Sequence, residues 1–140
     1  DRAWLDGPGR RLLTCAGEDY PVLLAATPGA PAALFVQGEV DALHLPQVAV
    51  VDSRRPTPAG RELAFDFARE LAAAGFTVTS GLAAGVDAAA HRGALACGGR
   101  SVAVCGTGAD RVYPASHAGL ALELAGRGAV VTEFPTGVPP

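Results

Sequence analysis

From Val48 onward the chain alternates two kinds of hydrophobic pattern. Short β-branched runs recur as VAVV at 48–51, FTVTS at 76–80, SVAVC at 101–105 and AVVTEF at 129–134. Each is long enough for a strand and too short for a helix. Between them the period lengthens. After Thr57, an N-cap followed by Pro58 at the first helical position, Leu63, Phe67 and Leu71 recur every four residues until Gly75 closes the segment. Residues 86–97 predict a second helix, ending at Gly98 and Gly99. Residues 115–125, with Leu120, Ala121 and Leu124 facing inward, predict a third, stopped by Gly126. The order is β-α-β-α-β-α-β. Strands that are apolar throughout should be buried on both faces, so the expected fold is α/β, a doubly wound parallel sheet with helices on both sides that stops after its fourth strand. Residues 1–47, with scattered prolines and the segments DYPVLL and ALFVQG, are expected to form a lead-in that caps a main domain at 48–140.

Composition narrows the function classes. With 140 residues, 49% hydrophobic and 18% charged, the chain can bury the core of one domain. A formal charge of -3 argues against coating nucleic acid by bulk charge, so any anion site must be local. The apolar runs fall well short of a membrane span and the first residues resemble no signal peptide, which predicts a soluble cytoplasmic protein with no membrane partner. A start at Asp1 and the lack of Met fit a fragment of a longer chain. Cys15, Cys97 and Cys105 are odd in number and lack CxxC spacing, so neither a disulfide framework nor a metal site is expected, and no cofactor is implied. Cys105 is expected to pack as a small hydrophobe.

In an open α/β sheet, ligands bind outside the carboxyl ends of the strands. The four exits here are DSRRPT (52–57), SGLAAGVD (80–87), GTGADRVYP (106–114) and EFPTG (133–137). Gly81 and Gly85 answer a need for positive φ or close backbone approach, and their turn feeds a helix N-terminus that favours an anion. Arg54 adds a planar donor fork suited to phosphate oxygens. The candidate phosphate-binding set is Ser53, Arg54, Arg55, Thr57, Ser80, Gly81, Gly85, Gly106, Thr107, Gly108 and Tyr113, the last placed to stack on a base. No catalytic residue and no metal ligand is expected. His91 is open between a packed and a catalytic role, while His44 and His117 are read as surface residues. Asp87 in a first helical turn is explained by capping. Glu133 at the end of a buried strand calls for a partner.

Together SRRPTPAG, TSGLAAGVDAAAHRGAL, GGRSVAVCGTGADRVYP and GAVVTEFPTGVPP, with DYPVLL and LFVQG upstream, resemble the DNA-processing protein A family (DprA, also called Smf) from about Trp4 to the last residue. The resemblance implies a Rossmann-like domain that binds single-stranded DNA, protects it during natural transformation and helps load the recombinase RecA. It also implies a homodimer in the intact protein and no enzymatic activity. The family's arginine after Gly-Ser at the first strand exit carries over to Arg54, with Ser53 beside it. Two departures stand out. Asp52 occupies the position of the family's glycine, where it either repels phosphate or pairs with a neighbouring arginine. The family's domain also continues beyond this point into further strands whose basic residues help line the DNA site. The implied mode is phosphate recognition by turn N–H groups and Arg54, with binding that weakens steeply as salt rises.

A rival class is an enzyme. The cytokinin-activating phosphoribohydrolases, or lysine-decarboxylase-like proteins, are similar in holding a nucleotide in glycine-rich turns, and Arg54, Asp87 and Glu133 are the residues to cast on a glycosidic bond. Their Pro-Gly-Gly-x-Gly-Thr-x-x-Glu pattern is missing, because Gly98-Gly99 lacks the proline and the following Gly-Thr. A dinucleotide dehydrogenase fits less well, since GTGADR lacks the third glycine and Ser80 stands where an acidic ribose ligand is wanted. A third reading is an interaction module whose sheet edge mates with another copy.

Overall fold

Six strands form one mixed sheet in the computed structural model, which describes all 140 residues. They are β1 (Arg10–Thr14), β2 (Ala33–Gly38), β3 (Gln47–Ala49), β4 (Thr77–Ser80), β5 (Ser101–Val104) and β6 (Gly128–Thr132), in the spatial order β1-β2-β6-β5-β4-β3. The pairs β3–β4, β4–β5 and β5–β6 are parallel, and these four strands are the runs expected from Val48 onward. β2 pairs antiparallel with both β6 and β1. The first 47 residues therefore give two strands to the sheet, where the sequence pattern predicts only a capping lead-in. Two strand ends also differ from expectation. β3 stops at Ala49 and leaves Val51 exposed, while β6 stops at Thr132 and leaves Glu133 in solvent, where its carboxylate needs no partner.

The helices are α1 (Arg2–Leu5), α2 (Val22–Ala25), α3 (Pro58–Ala73), α4 (Val86–Ala96) and α5 (Ala118–Gly126). Because β3, β4, β5 and β6 are consecutive neighbours, every crossover steps the same way, and right-handed connections then bring α3, α4 and α5 to one face. The packing agrees. Val78 lies among Ala68, Ala72, Ala90 and Ala94, and Ala103 among Leu82, Leu120 and Leu124. The opposite face is covered from the N-terminal segment: Val102, Ala129 and Val131 pack with Leu13, Tyr20, Val36, Val40 and Leu43. Tyr20 is fixed there by its hydroxyl, which donates to Pro31 O at 2.6 Å. The architecture is Rossmann-like in its parallel half, with the second cover supplied by residues 20–44 rather than by crossover helices. Part of that cover is open, forming an apolar groove of about 850 Å³ beside Leu23, which is 86% exposed.

α3 corrects one expectation. Its large apolar residues Leu63 and Phe67 are 67% and 57% exposed, and the buried stripe is Ala64, Ala68 and Ala72. The reason lies on α4, where Gly93 sits against the Phe65 carbonyl with no room for a Cβ. Two helices that approach this closely need small residues on both facing surfaces, so Leu63 and Phe67 turn outward, while Leu71, the third residue of the expected stripe, stays half-buried against the core.

Candidate functional site

The carboxyl ends of the parallel strands open on a cleft of about 560 Å³. Arg54, Gly81, Asp87, Gly106, Thr107 and Tyr113 line it, from three different strand exits. This is the convergence that the topology demands. Arg54 is exposed, and Tyr113 is 54% exposed at the rim, an aromatic face open to a stacking partner.

The other predicted residues act on the walls. Ser80 is buried and its hydroxyl donates to Val50 O at 2.6 Å, tying the end of β4 to the point where the arginine segment leaves β3. Ser53 Oγ accepts from Arg55 N at 3.0 Å, closing a local turn that fixes the residue between them. Thr57 Oγ1 accepts from Gly60 N at 3.0 Å and so caps α3 as expected. Arg55 is exposed and does not line this cleft. Thr107 is buried, and its hydroxyl donates to Arg111 O at 3.1 Å.

Gly85 and Gly108 are required by the chain's own backbone. Gly85 has φ +89°, and Val86 N next to it donates to Ser53 O at 3.2 Å, so the β4–α4 loop rests directly on the arginine segment. Gly108 faces Pro135 O, 2.6 Å from where a Cβ would stand, and its N–H donates to Val138 O at 2.9 Å. Gly106, by contrast, faces open space.

Two histidines hold the β4–α4 loop from beneath. His91 is fully buried in α4; its Nε2 donates to Gly81 O, and Nδ1 lies 2.7 Å from Ser101 Oγ. His117, expected from the sequence to be a surface residue, is buried, and its Nδ1 donates to Leu82 O at 2.8 Å. Asp87 completes the set, accepting from Ala83 N at 3.3 Å. Burial holds the pKa of His91 below the ordinary histidine value, outweighing the Gly81 carbonyl that pulls the other way. The ring is therefore neutral at neutral pH, with its Nε2 proton on the Gly81 carbonyl, while the Ser101 hydroxyl beside Nδ1 donates to Val78 O at 2.8 Å. With two successive carbonyls pinned from below, the backbone N–H groups of Ala84, Gly85 and Gly106 make no hydrogen bond within the chain. Free N–H groups around a concave turn are donors for an anion. Neither histidine is identifiable for this task from sequence, since each acts on a backbone carbonyl.

The remaining candidates fall away from the chemistry. Asp52 is exposed, and the chain's ion pairs use Arg11, Arg69 and Arg100, so it restrains neither Arg54 nor Arg55. The pairing expected as one alternative for Asp52 is therefore not formed. Cys105 lines the cleft half-buried, and burial pushes its thiol up to about 11, the protonated and unreactive form at neutral pH. Arg54, Asp87 and Glu133 are not assembled as a trio. Asp87 is turned into its own loop, and Glu133 lines the apolar groove on the opposite side. No helix is long and apolar enough to cross a membrane.

Residues 11–140 match the family model described as DNA recombination-mediator protein A. Protein Smf of Escherichia coli is 46% identical over 138 residues, 98% of this chain and 37% of that protein. DNA processing protein DprA of Streptococcus pneumoniae is 37% identical over 121 residues, 86% of this chain and 43% of that one. The X-ray structure of DNA processing protein A from Streptococcus pneumoniae superposes with a TM-score of 0.87 at 34% identity, covering 100% of this chain and 50% of its own. A structure of DNA processing protein A from Helicobacter pylori, described for its single-stranded DNA binding mode, gives a TM-score of 0.78 at 28% identity over 94% of this chain and 58% of that one. The chain thus spans well under half the length of the two curated relatives named.

Proposed function

Because the chain belongs to the DNA recombination-mediator protein A family, we propose that its cleft binds single-stranded DNA through the phosphate backbone. In this reading the whole protein is a recombination mediator of natural transformation, protecting incoming strands in the cytoplasm and helping to load RecA. The observation that carries the reading is the placement of Arg54 in one cleft with the free N–H groups of the glycine-rich turns and the exposed ring of Tyr113. A guanidinium fork and backbone donors recognise phosphate, and an aromatic face accepts any base, so the site needs no sequence code. It binds and makes or breaks no bond. The chain's -3 charge keeps affinity per copy modest, and a homodimer would gain by placing two such clefts on one strand.

The test is fluorescence anisotropy of a labelled oligo-dT as salt is raised. The affinity should fall with a logarithmic slope of about -0.7 per phosphate neutralised. Arg54→Ala should lose most of the binding while keeping the parent's thermal midpoint. An affinity indifferent to salt would reject the phosphate reading.

A further inference from the structure

A second cavity, of about 660 Å³, adjoins the cleft and shares Arg54 and Ala84 with it. It runs between the start of α3 and the side of α4, and it collects Arg61 from α3 and Arg92 from α4. Three guanidinium groups from three segments of the chain thus line one groove, and none of them belongs to an ion pair with a carboxylate. One carboxylate, Glu62, also lines it. Scattered arginines on an acidic chain are ordinarily solvated singly or matched to acids, as Arg11, Arg69 and Arg100 are here. Gathering three unmatched ones around a concave surface raises the local potential and leaves it uncompensated, which suits a polyanion and costs stability otherwise.

We infer that this groove is a second phosphate station for the same strand, which leaves the cleft past Arg54 and continues between α3 and α4 with its next phosphates held by Arg61 and Arg92. The inference rests on the single-stranded DNA reading of the cleft and adds the direction in which the strand runs. The ligand class is a phosphodiester backbone. The groove offers three guanidinium groups, and its one aromatic, Phe65, is half-buried and packed against Ala64, Val86 and Ala89, so the strand is gripped there by its phosphates, and Tyr113 in the first cleft, 54% exposed, remains the place for a base.

The test compares the parent chain, Arg54→Ala, the double variant Arg61→Ala/Arg92→Ala, and Glu62→Gln by anisotropy on a labelled oligo-dT over a salt series. All of the substituted side chains are exposed, and circular dichroism with a thermal melt confirms that each variant is folded. The expected result is that the double variant binds about 3–10-fold more weakly and that its salt slope shrinks by about 0.7 for each phosphate it no longer neutralises. Glu62→Gln should tighten binding. If the double variant keeps the parent's affinity and slope while Arg54→Ala has lost binding, the groove is overturned and the cleft stands. If Arg54→Ala also binds like the parent, or the parent does not bind at all, the cleft reading fails and the groove with it.

Discussion

Gly85 lies against the main chain of Arg54: a Cβ on the glycine would stand 2.7 Å from the arginine's carbonyl oxygen and 2.5 Å from that of Ser53. The glycine of one strand exit therefore sets where the guanidinium of another emerges. Gly85→Ala should lower stability by about 2–4 kcal/mol, combining a φ that side chains rarely adopt with a clash against backbone that cannot rotate away. It should also weaken binding of oligo-dT. Gly106→Ala, at the same edge but facing open space, should leave stability within about 0.5 kcal/mol. Urea denaturation separates the two, and equal midpoints for both variants would refute the packing role of Gly85.

His91 gives the fold an acid limit. Its pKa is lowered in the folded state, so as pH falls through about 6.5 the unfolded chain takes up the proton first and unfolding is favoured. Above that pH the ring is neutral in both states and contributes no slope. Denaturation midpoints followed from about pH 8 to about pH 5 should decline, and the decline should be shallower in His91→Asn, which starts from a lower midpoint because it loses packing. A parent midpoint that does not fall on acidification contradicts this account. Because His91 holds Gly81 O, the same variant should also weaken oligo-dT binding at neutral pH, where protonation plays no part.

Alkylation should divide the cysteines. Cys15 and Cys97 are exposed, whereas Cys105 is half-buried with its thiol pushed up to about 11. Iodoacetamide at neutral pH should modify Cys15 and Cys97 well before Cys105, because the thiolate is the nucleophile. Peptide mass mapping along a time course reads the order. Early modification of Cys105 would mean that the cleft floor is more open than its packing indicates.

The parallel strands and the cleft are legible in the sequence because both follow from local pattern: β-branched runs give strands, and topology brings their exits to one edge. Arg54 and Tyr113, named from the sequence, both line that cleft with their side chains exposed. What is not legible depends on packing between distant residues. His117 reaches a carbonyl at Leu82, 35 positions away, so nothing near it in sequence distinguishes it from a surface histidine. On α3 the alanine stripe and the Leu63–Phe67 stripe both keep helical period, and only the close approach of Gly93 decides which is buried. β1 lies in the proline-scattered stretch read as a lead-in, and it becomes a strand only through its antiparallel pairing to β2. Glycines are the intermediate case. The sequence marks Gly85 as needing positive φ or close approach, but what approaches it is the chain's own main chain at Ser53 and Arg54.

Asp52 provides the sharpest test of the electrostatics. It stands exposed two residues before Arg54 with no cation restraining it, so under the proposed phosphate reading its carboxylate would add an uncompensated negative charge near the phosphates that Arg54 is proposed to hold. A unit charge in water several ångströms from another costs about 0.5–1 kcal/mol, which is about 2–5-fold in affinity, and salt screens it. Asp52→Gly should therefore tighten oligo-dT binding by that factor at low salt and by less as salt approaches physiological strength. Asp52→Asn keeps a side chain and removes only the charge. If Asn reproduces the effect of Gly, repulsion is the cause; if Gly tightens binding and Asn does not, the backbone itself must approach the ligand at this position and the side chain is an obstacle of size. A looser complex in both variants would show that Asp52 supports the site, against the repulsive role assigned to it.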